Sequence, residues 1–287
     1  MKMAKKTELA VMDSFKIANR FEGMDPELMA ELQDQMEDLD NESGISCRMV
    51  KIPSGGGLAY EVQGDDEDDV EYMKEVSGVI VFTHRLNAYW EKEYGSGDDG
   101  DKIPVCSSMD GKVGIRNDTG EVCDCEHCPL NAYGTDIKGG KGKACKNMRR
   151  VYIMMDNDPN LYLLTVPPTS IKDVNKQLAR IMGTKGIPYT GLIVSFKLEK
   201  ATNSGGIAYS KVTIEKKGIL PPSASGMAKE LRRQIKGKYT EMAITLNDYN
   251  AVTPAVHDAD NQEQTEEMAG EAEFSEVAPA DDLPFKD

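Results

Sequence analysis

Five of the chain's six cysteines, Cys106, Cys123, Cys125, Cys128 and Cys145, fall between Pro104 and Lys146. Glycines at 111, 114, 120, 134, 139, 140 and 142 lie among them and make the connections tight turns. The spacing Cys125-Glu126-His127-Cys128 lets one turn place two thiolates on adjacent corners of a tetrahedron, and Cys106 and Cys145 can supply the other two from nearby strands. The expectation is a structural Zn2+ held by four thiolates. Cys123 competes with Cys125 for its position, and His127 is a poorer fourth ligand because it lies inside the pair. Cys47 stands apart and reads as a core residue.

The same residues could carry chemistry. A zinc deaminase needs an upstream H-x-E whose glutamate moves protons, but His84 is followed by Arg85 and Leu86, and proline comes after the cysteine pair, at Pro129, not before it. A thiol redox motif would not carry three further cysteines beside it. Gly139 to Ala144 is basic and glycine-rich but lacks the spacing and the hydroxyl of a phosphate-binding loop. The chain therefore reads as a protein that is not an enzyme.

Clustered thiols that serve a metal belong in a reducing compartment. Lys2, Lys5 and Lys6 are followed by Glu8 and Asp13, which interrupt any secretory signal. No stretch approaches the about 20 apolar residues of a membrane span. A cytoplasmic protein with no membrane partner is expected.

A net charge of −15 over 287 residues speaks against a polyanionic partner. Its distribution does not. Residues 1–101 carry 10 Lys/Arg against 24 Asp/Glu, residues 102–257 carry 23 against 14, and residues 258–287 carry 1 against 11. Only the basic middle can attract phosphate, and the average hides it.

Three regions follow. Residues 1–44 form an acidic helical segment, with a helix starting at Asp25 and Pro26 and Leu28, Leu32, Met36 and Leu39 at helical spacing. Residues 45–250 hold the folded domain, with strands predicted over 50–52, 58–62, 79–83, 151–155, 161–166, 192–198 and 207–214. In the sixth of these, Leu192, Val194, Phe196 and Leu198 share one face, with Ser195 and Lys197 on the other. In the seventh, Val212 and Ile214 turn inward and Tyr209, Lys211 and Thr213 outward. Helices are predicted over 170–182, with Ile171, Val174, Leu178 and Ile181 on one stripe, and over 227–236. Residues 251–287 lack hydrophobic periodicity and read as a disordered acidic tail. The fold class is mainly β (α+β), a small barrel or sandwich with peripheral helices.

Lys138, Lys141, Lys143, Lys146, Arg149 and Arg150 cluster at the end of the cysteine element, where glycines let backbone approach a phosphate. Exposed rings beside such cations can stack bases without sequence preference. Tyr209 with Lys197 and Lys211, Tyr152 and Trp90 are the candidates.

The chain ends in Ala-Pro-Ala-Asp-Asp-Leu-Pro-Phe-Lys-Asp. Asp281, Asp282, Leu283, Pro284 and Phe285 resemble the tail tip of bacterial and phage single-stranded DNA-binding proteins, which implies recruitment of replication or recombination proteins. Leu283 and Phe285 suit an apolar pocket and the aspartates its basic rim, although Lys286 and Asp287 extend past the usual end. The stretches 104–111, 125–134, 142–148 and 163–170 also resemble phage-type single-stranded DNA-binding proteins with an oligonucleotide-binding (OB) barrel. That resemblance implies an OB-like barrel with a zinc-ribbon insertion at about 104–148, a structural metal and single-stranded DNA as partner, in the cytoplasm of a bacterial host. A homo-oligomer is compatible with it. The rival reading is a zinc-containing protein-interaction or regulatory factor without DNA affinity of its own.

Overall fold

The computed structural model describes residues 10–18, 25–38, 45–64, 66, 69–91, 103–137, 141–203, 205–242 and 244. All of these residues fall in one compact unit, Met1–Pro254. The tail, Asp281 to Phe285 and Lys138 lie outside the described residues.

The protein is mainly β. Among the described residues, eleven strands make one mixed sheet: β1 (Cys47–Lys51), β2 (Tyr60–Gln63), β3 (Val70–Met73), β4 (Glu75–Tyr89), β5 (Cys106–Ser108), β6 (Val113–Arg116), β7 (Val122–Asp124), β8 (Lys146–Met155), β9 (Leu161–Val166), β10 (Leu192–Thr202) and β11 (Ala208–Ile219). The path runs β3-β2-β1-β9-β8-β4-β5-β6-β7, and β10, carrying β11, joins β4 beside it. All pairs are antiparallel except β1 with β9. The sheet is open. No ladder joins β11 to β1–β3 among the described residues, and contact there is made by the Ser210 hydroxyl, 2.8 Å from the Pro53 carbonyl and 2.9 Å from that of Gly57.

The fork at β4 places the site. Its first residues, Glu75 to Val79, pair with β10, its last three with β5, and β8 follows its other edge from Gly78 to Ala88. A two-stranded ribbon of β4 and β8 thus leaves the core and carries β5, β6 and β7, which lie between these two strands in the chain.

Alternation along the strands builds two apolar layers. Val151, Ile153 and Met155 of β8 face a cluster with Val50, Tyr60, Leu164, Val194 and Phe196, and Tyr152 and Met154 face another with Val79, Val81, Leu163 and Ile193. Helix α2 (Pro168–Lys185) closes the first with Val174 and Ile181, and Ile171 and Leu178 pack beside them. Helix α3 (Pro222–Lys238) closes the second with Ala224, Ala228 and Ile235. Both begin with proline at the first helical position, where the missing N–H costs no bond. Helix α3 starts five residues before the predicted 227. Helix α1 (Pro26–Asp38) follows Asp25, whose carboxylate accepts the Glu27 N–H, but its Leu28 is exposed rather than packed. Cys47 packs against the second cluster.

Three candidate surface residues are interior. Trp90 is 5% exposed, in a third cluster with Leu86, Ala88 and Met148 under the ribbon. Tyr152 is fully buried and Arg150 is 1% exposed. The period of two explains the arginine: adjacent Arg149 and Arg150 must point to opposite faces of β8, so a basic run cannot put both in solvent. None of the three offers the exposed ring or cation that the sequence pattern suggested.

Candidate metal centre and nucleic-acid interface

The cysteine element folds from its turns. Gly111 adopts the left-handed conformation (φ 71°) between β5 and β6, where a side chain would press on Arg85 Cβ at 3.0 Å. The Asp110 carboxylate closes that turn by accepting the Lys112 and Val113 N–H groups at 2.7 and 2.9 Å. The Cys125 N–H donates to the Lys112 carbonyl at 2.8 Å, and Pro129 opens one 3-10 turn, Pro129–Asn131, directly after Cys128. The Cys145 N–H donates to the Leu130 carbonyl, bringing the last cysteine back to this turn.

All five cysteines line one cavity of about 70 Å³, with Asn87, Tyr89, Arg116, Leu130 and Asn131 around them. The sulfurs of Cys106 and Cys125 both lie over Gly114, where a Cβ would stand 3.2 and 3.3 Å from them. Burial pushes the Cys106 thiol up to about 11, and the charges of Cys123, Cys125 and Cys128 add to it. Burial likewise pushes Cys145 up to about 12, with Cys125, Cys106 and Cys128 adding. Four thiolates cannot share this space without a cation. Cys123 acts on Cys106 but is not among the neighbours that act on Cys145, and its thiol is directed at the Glu121 carbonyl 3.9 Å away. Among the described residues, no group of three or more His, Cys, Asp or Glu side chains is closed around an ion position. The chemistry of the donors is that of a zinc site: Cys106, Cys128, Cys145 and either Cys125 or Cys123 are the thiols that would hold such an ion. His127 points away to Asp124 at 2.6 Å on the exposed side of the turn.

A second, larger concavity of about 700 Å³ lies against the same wall. Arg85, Lys112, Lys143 and Arg149 supply its cations, Asn87, Asn131, Asn147 and Asn175 its amides, and Asp124 and Glu126 its carboxylates. Arg85 faces Arg149 across the β4–β8 ladder, and two residues along Asn87 faces Asn147. Burial pulls the Arg149 guanidinium below its usual value and the charge of Arg85 adds to the shift. Its Nη1 donates to the Thr83 hydroxyl at 3.3 Å, while its Nε is buried without a partner. Lys143 donates to Asn131 Oδ1 and Asn147 Oδ1 at 3.2 and 3.1 Å and lies 4.9 Å from the ring centre of Tyr133, which is 82% exposed.

Of the candidate strand-contacting residues, Lys143 and Arg149 meet in this groove. Lys141 is exposed nearby in sequence, and Lys146 is tied to Asp136 at 3.4 Å. On β10 and β11, Lys197 pairs with Glu215 at 2.7 Å, and Lys211, two residues from a half-buried Tyr209, pairs with Asp173 of α2 at 2.6 Å. Sequence reasoning missed Arg85, Lys112 and Tyr133. The signal available was Arg85 at an outward position of the β4 pattern and Gly134 directly after Tyr133.

No helix among the described residues is long and apolar enough to cross a membrane. No protein-family model, curated protein or solved structure compared with the chain matches it.

Proposed function

We propose that the protein binds single-stranded DNA without catalysing a reaction on it, in the manner of the phage-type proteins its sequence resembles, and protects unpaired strands during replication or recombination. The observation that carries this is the 700 Å³ groove in which Arg85 and Arg149 oppose each other with Lys112 and Lys143 alongside. Like charges directly opposite on a ladder repel, and a strand of phosphates relieves that repulsion while releasing its own counterions. The groove amides offer bonds to base edges or sugars, and the exposed face of Tyr133 offers a stacking surface. In the same proposal, Cys106, Cys125, Cys128 and Cys145 hold a structural zinc that braces the groove wall, the curved sheet serves as an OB-like platform, and the acidic tail recruits partner proteins through Asp281 to Phe285.

Fluorescence anisotropy with oligo-dT and with duplex of the same length, each at two salt concentrations, tests the function. Salt-sensitive binding that favours the single strand is expected. Absent or salt-insensitive binding overturns it.

One feature favours the rival interaction factor. Ile115 and Val122 face each other on β6 and β7, and both are exposed, as is Val113. Retention of partner proteins after nuclease treatment, by a chain without strand affinity, would select that function instead.

A further inference from the structure

Asn87 and Asn131 belong to both concavities, so the thiol cavity and the basic groove share a wall. Asn131 uses both ends of its amide across that wall. Its Nδ2 donates to the Cys125 carbonyl at 2.6 Å, and its Oδ1 accepts from Lys143 Nζ at 3.2 Å. On the other side of the same residue, the Cys125 N–H holds the Lys112 carbonyl at 2.8 Å. The Cys125 carbonyl therefore holds the Lys143 ammonium through Asn131, while the Cys125 N–H fixes only the backbone of Lys112. Arg85 and Arg149 depend on neither, because the β4–β8 ladder positions them.

We infer that Asn131 is a positioning residue that couples occupancy of the thiol cavity to strand affinity, setting Lys143 in the groove when Cys125 is fixed by a bound cation. This rests on the strand-binding function proposed above. Cys125 is buried, and its N–H and its carbonyl are both bonded within the knuckle that carries its thiol. With the thiols free, the knuckle can shift, Asn131 loses one of its two partners, and a lysine side chain that keeps only Asn147 recovers rotamer freedom. The groove then retains its arginine pair and loses the ordered part of its lysine pair. The consequence is graded weakening rather than loss.

The test uses the full chain and the salt dependence of oligo-dT binding. Each phosphate contact on a single strand contributes about 0.7 to the slope of log K against log salt. Removing zinc with a chelator is expected to lower the slope by about 0.7, the loss of one contact, and adding zinc back to restore it. Asn131→Leu, similar in size but without the amide, is expected to keep one zinc per chain and lower the slope by about 0.7. Lys143→Met should produce the same fall, and the double variant no further fall. That non-additivity separates positioning from general loosening, which would add to the lysine's effect. A wild-type slope in Asn131→Leu, or independent and additive losses in the two variants, overturns the coupling while leaving strand binding in place. No binding by the zinc-loaded wild-type chain overturns the proposed function instead. Should the purified chain carry no zinc and take none up, the coupling to the cavity fails, and the double variant still reports whether Asn131 positions Lys143.

Discussion

Arg85 and Arg149 stand directly opposite each other on β4 and β8, and Arg149 is partly desolvated with its Nε unpartnered. Such a pair costs stability in the free protein, of the order of 0.2–1 kcal/mol for like charges on facing strand positions. Arg149→Met keeps an apolar stem in place and removes the charge. It should melt at the same temperature as the wild type or slightly above, while binding oligo-dT with a slope smaller by about 0.7. Calorimetry and anisotropy on the same preparation check this. A less stable variant with unaltered binding would contradict it.

Aromatic residues divide cleanly by burial. Trp90 lies in the small cluster under the ribbon, and truncating a buried ring of this size typically costs about 3–5 kcal/mol. Trp90→Ala should therefore unfold at much lower denaturant concentration. Tyr133→Ala, at an exposed position, should change stability by less than about 0.5 kcal/mol. Its strand affinity should fall by about 1–3 kcal/mol, the worth of one stacked base, and Tyr133→Phe should restore it. The two measurements are urea melts and oligo-dT titrations, and the outcome to look for is the reversal of rank between them.

The parts of the fold legible in the sequence are those where one face is dry and the other wet. Leu192, Val194, Phe196 and Leu198 all enter the first core cluster, and Ile171, Val174, Leu178 and Ile181 form the packed stripe of α2. Strand β4 defeats this logic. Val79 to Phe82 are buried on both faces, so the run gives no in–out signal and its continuation through Trp90 reads as open. The Pro221-Pro222 start of α3 was readable, but Ser223 to Gly226 after it carry no large apolar residue, so the stripe shows only from Met227. The cysteine spacing located the thiol cavity because local turns bring its members together. The groove was only half visible: Lys143 and Arg149 are neighbours in the chain, whereas Arg85 and Lys112 arrive through the β4–β8 register and the β5–β6 turn, and no local pattern encodes a long-range register.

Glu75 lies at the edge of the β4–β10–β11 junction, 2.5 Å from Lys217 Nζ, 2.7 Å from the Ser77 hydroxyl and 3.6 Å from Lys197 Nζ. The Lys217 and Ser77 hydrogen bonds hold its carboxyl down at about 2, against its usual 4.5. The unfolded chain then binds this proton at a higher pH than the folded one. The contribution is complete above about 4.5 and is lost as the pH falls to about 2. Partial exposure screens it, so the effect is small beside core packing. Glu75→Gln should flatten the fall in melting temperature across that window and lower the melting temperature at neutral pH. Parallel curves for the two proteins would show that Glu75 is not a linked group.

The cysteines can be sorted by metal content. All five thiols line one cavity, and that of Cys123 is directed at the Glu121 carbonyl 3.9 Å away. A four-thiolate site needs each of its ligands, and for a structural ion the coordination free energy is part of the folding free energy. Cys128→Ser and Cys145→Ser should each lose stoichiometric zinc and melt at a lower temperature. Cys123→Ser should keep both the ion and the wild-type melting temperature, because it removes the thiol outside the set. Native mass spectrometry gives the metal count and calorimetry the stability. Zinc lost from Cys123→Ser but kept by a Cys125→Ser variant would move the ligand to Cys123. It would also remove the ion from Cys125, whose carbonyl Asn131 holds, and so uncouple the cavity from Lys143.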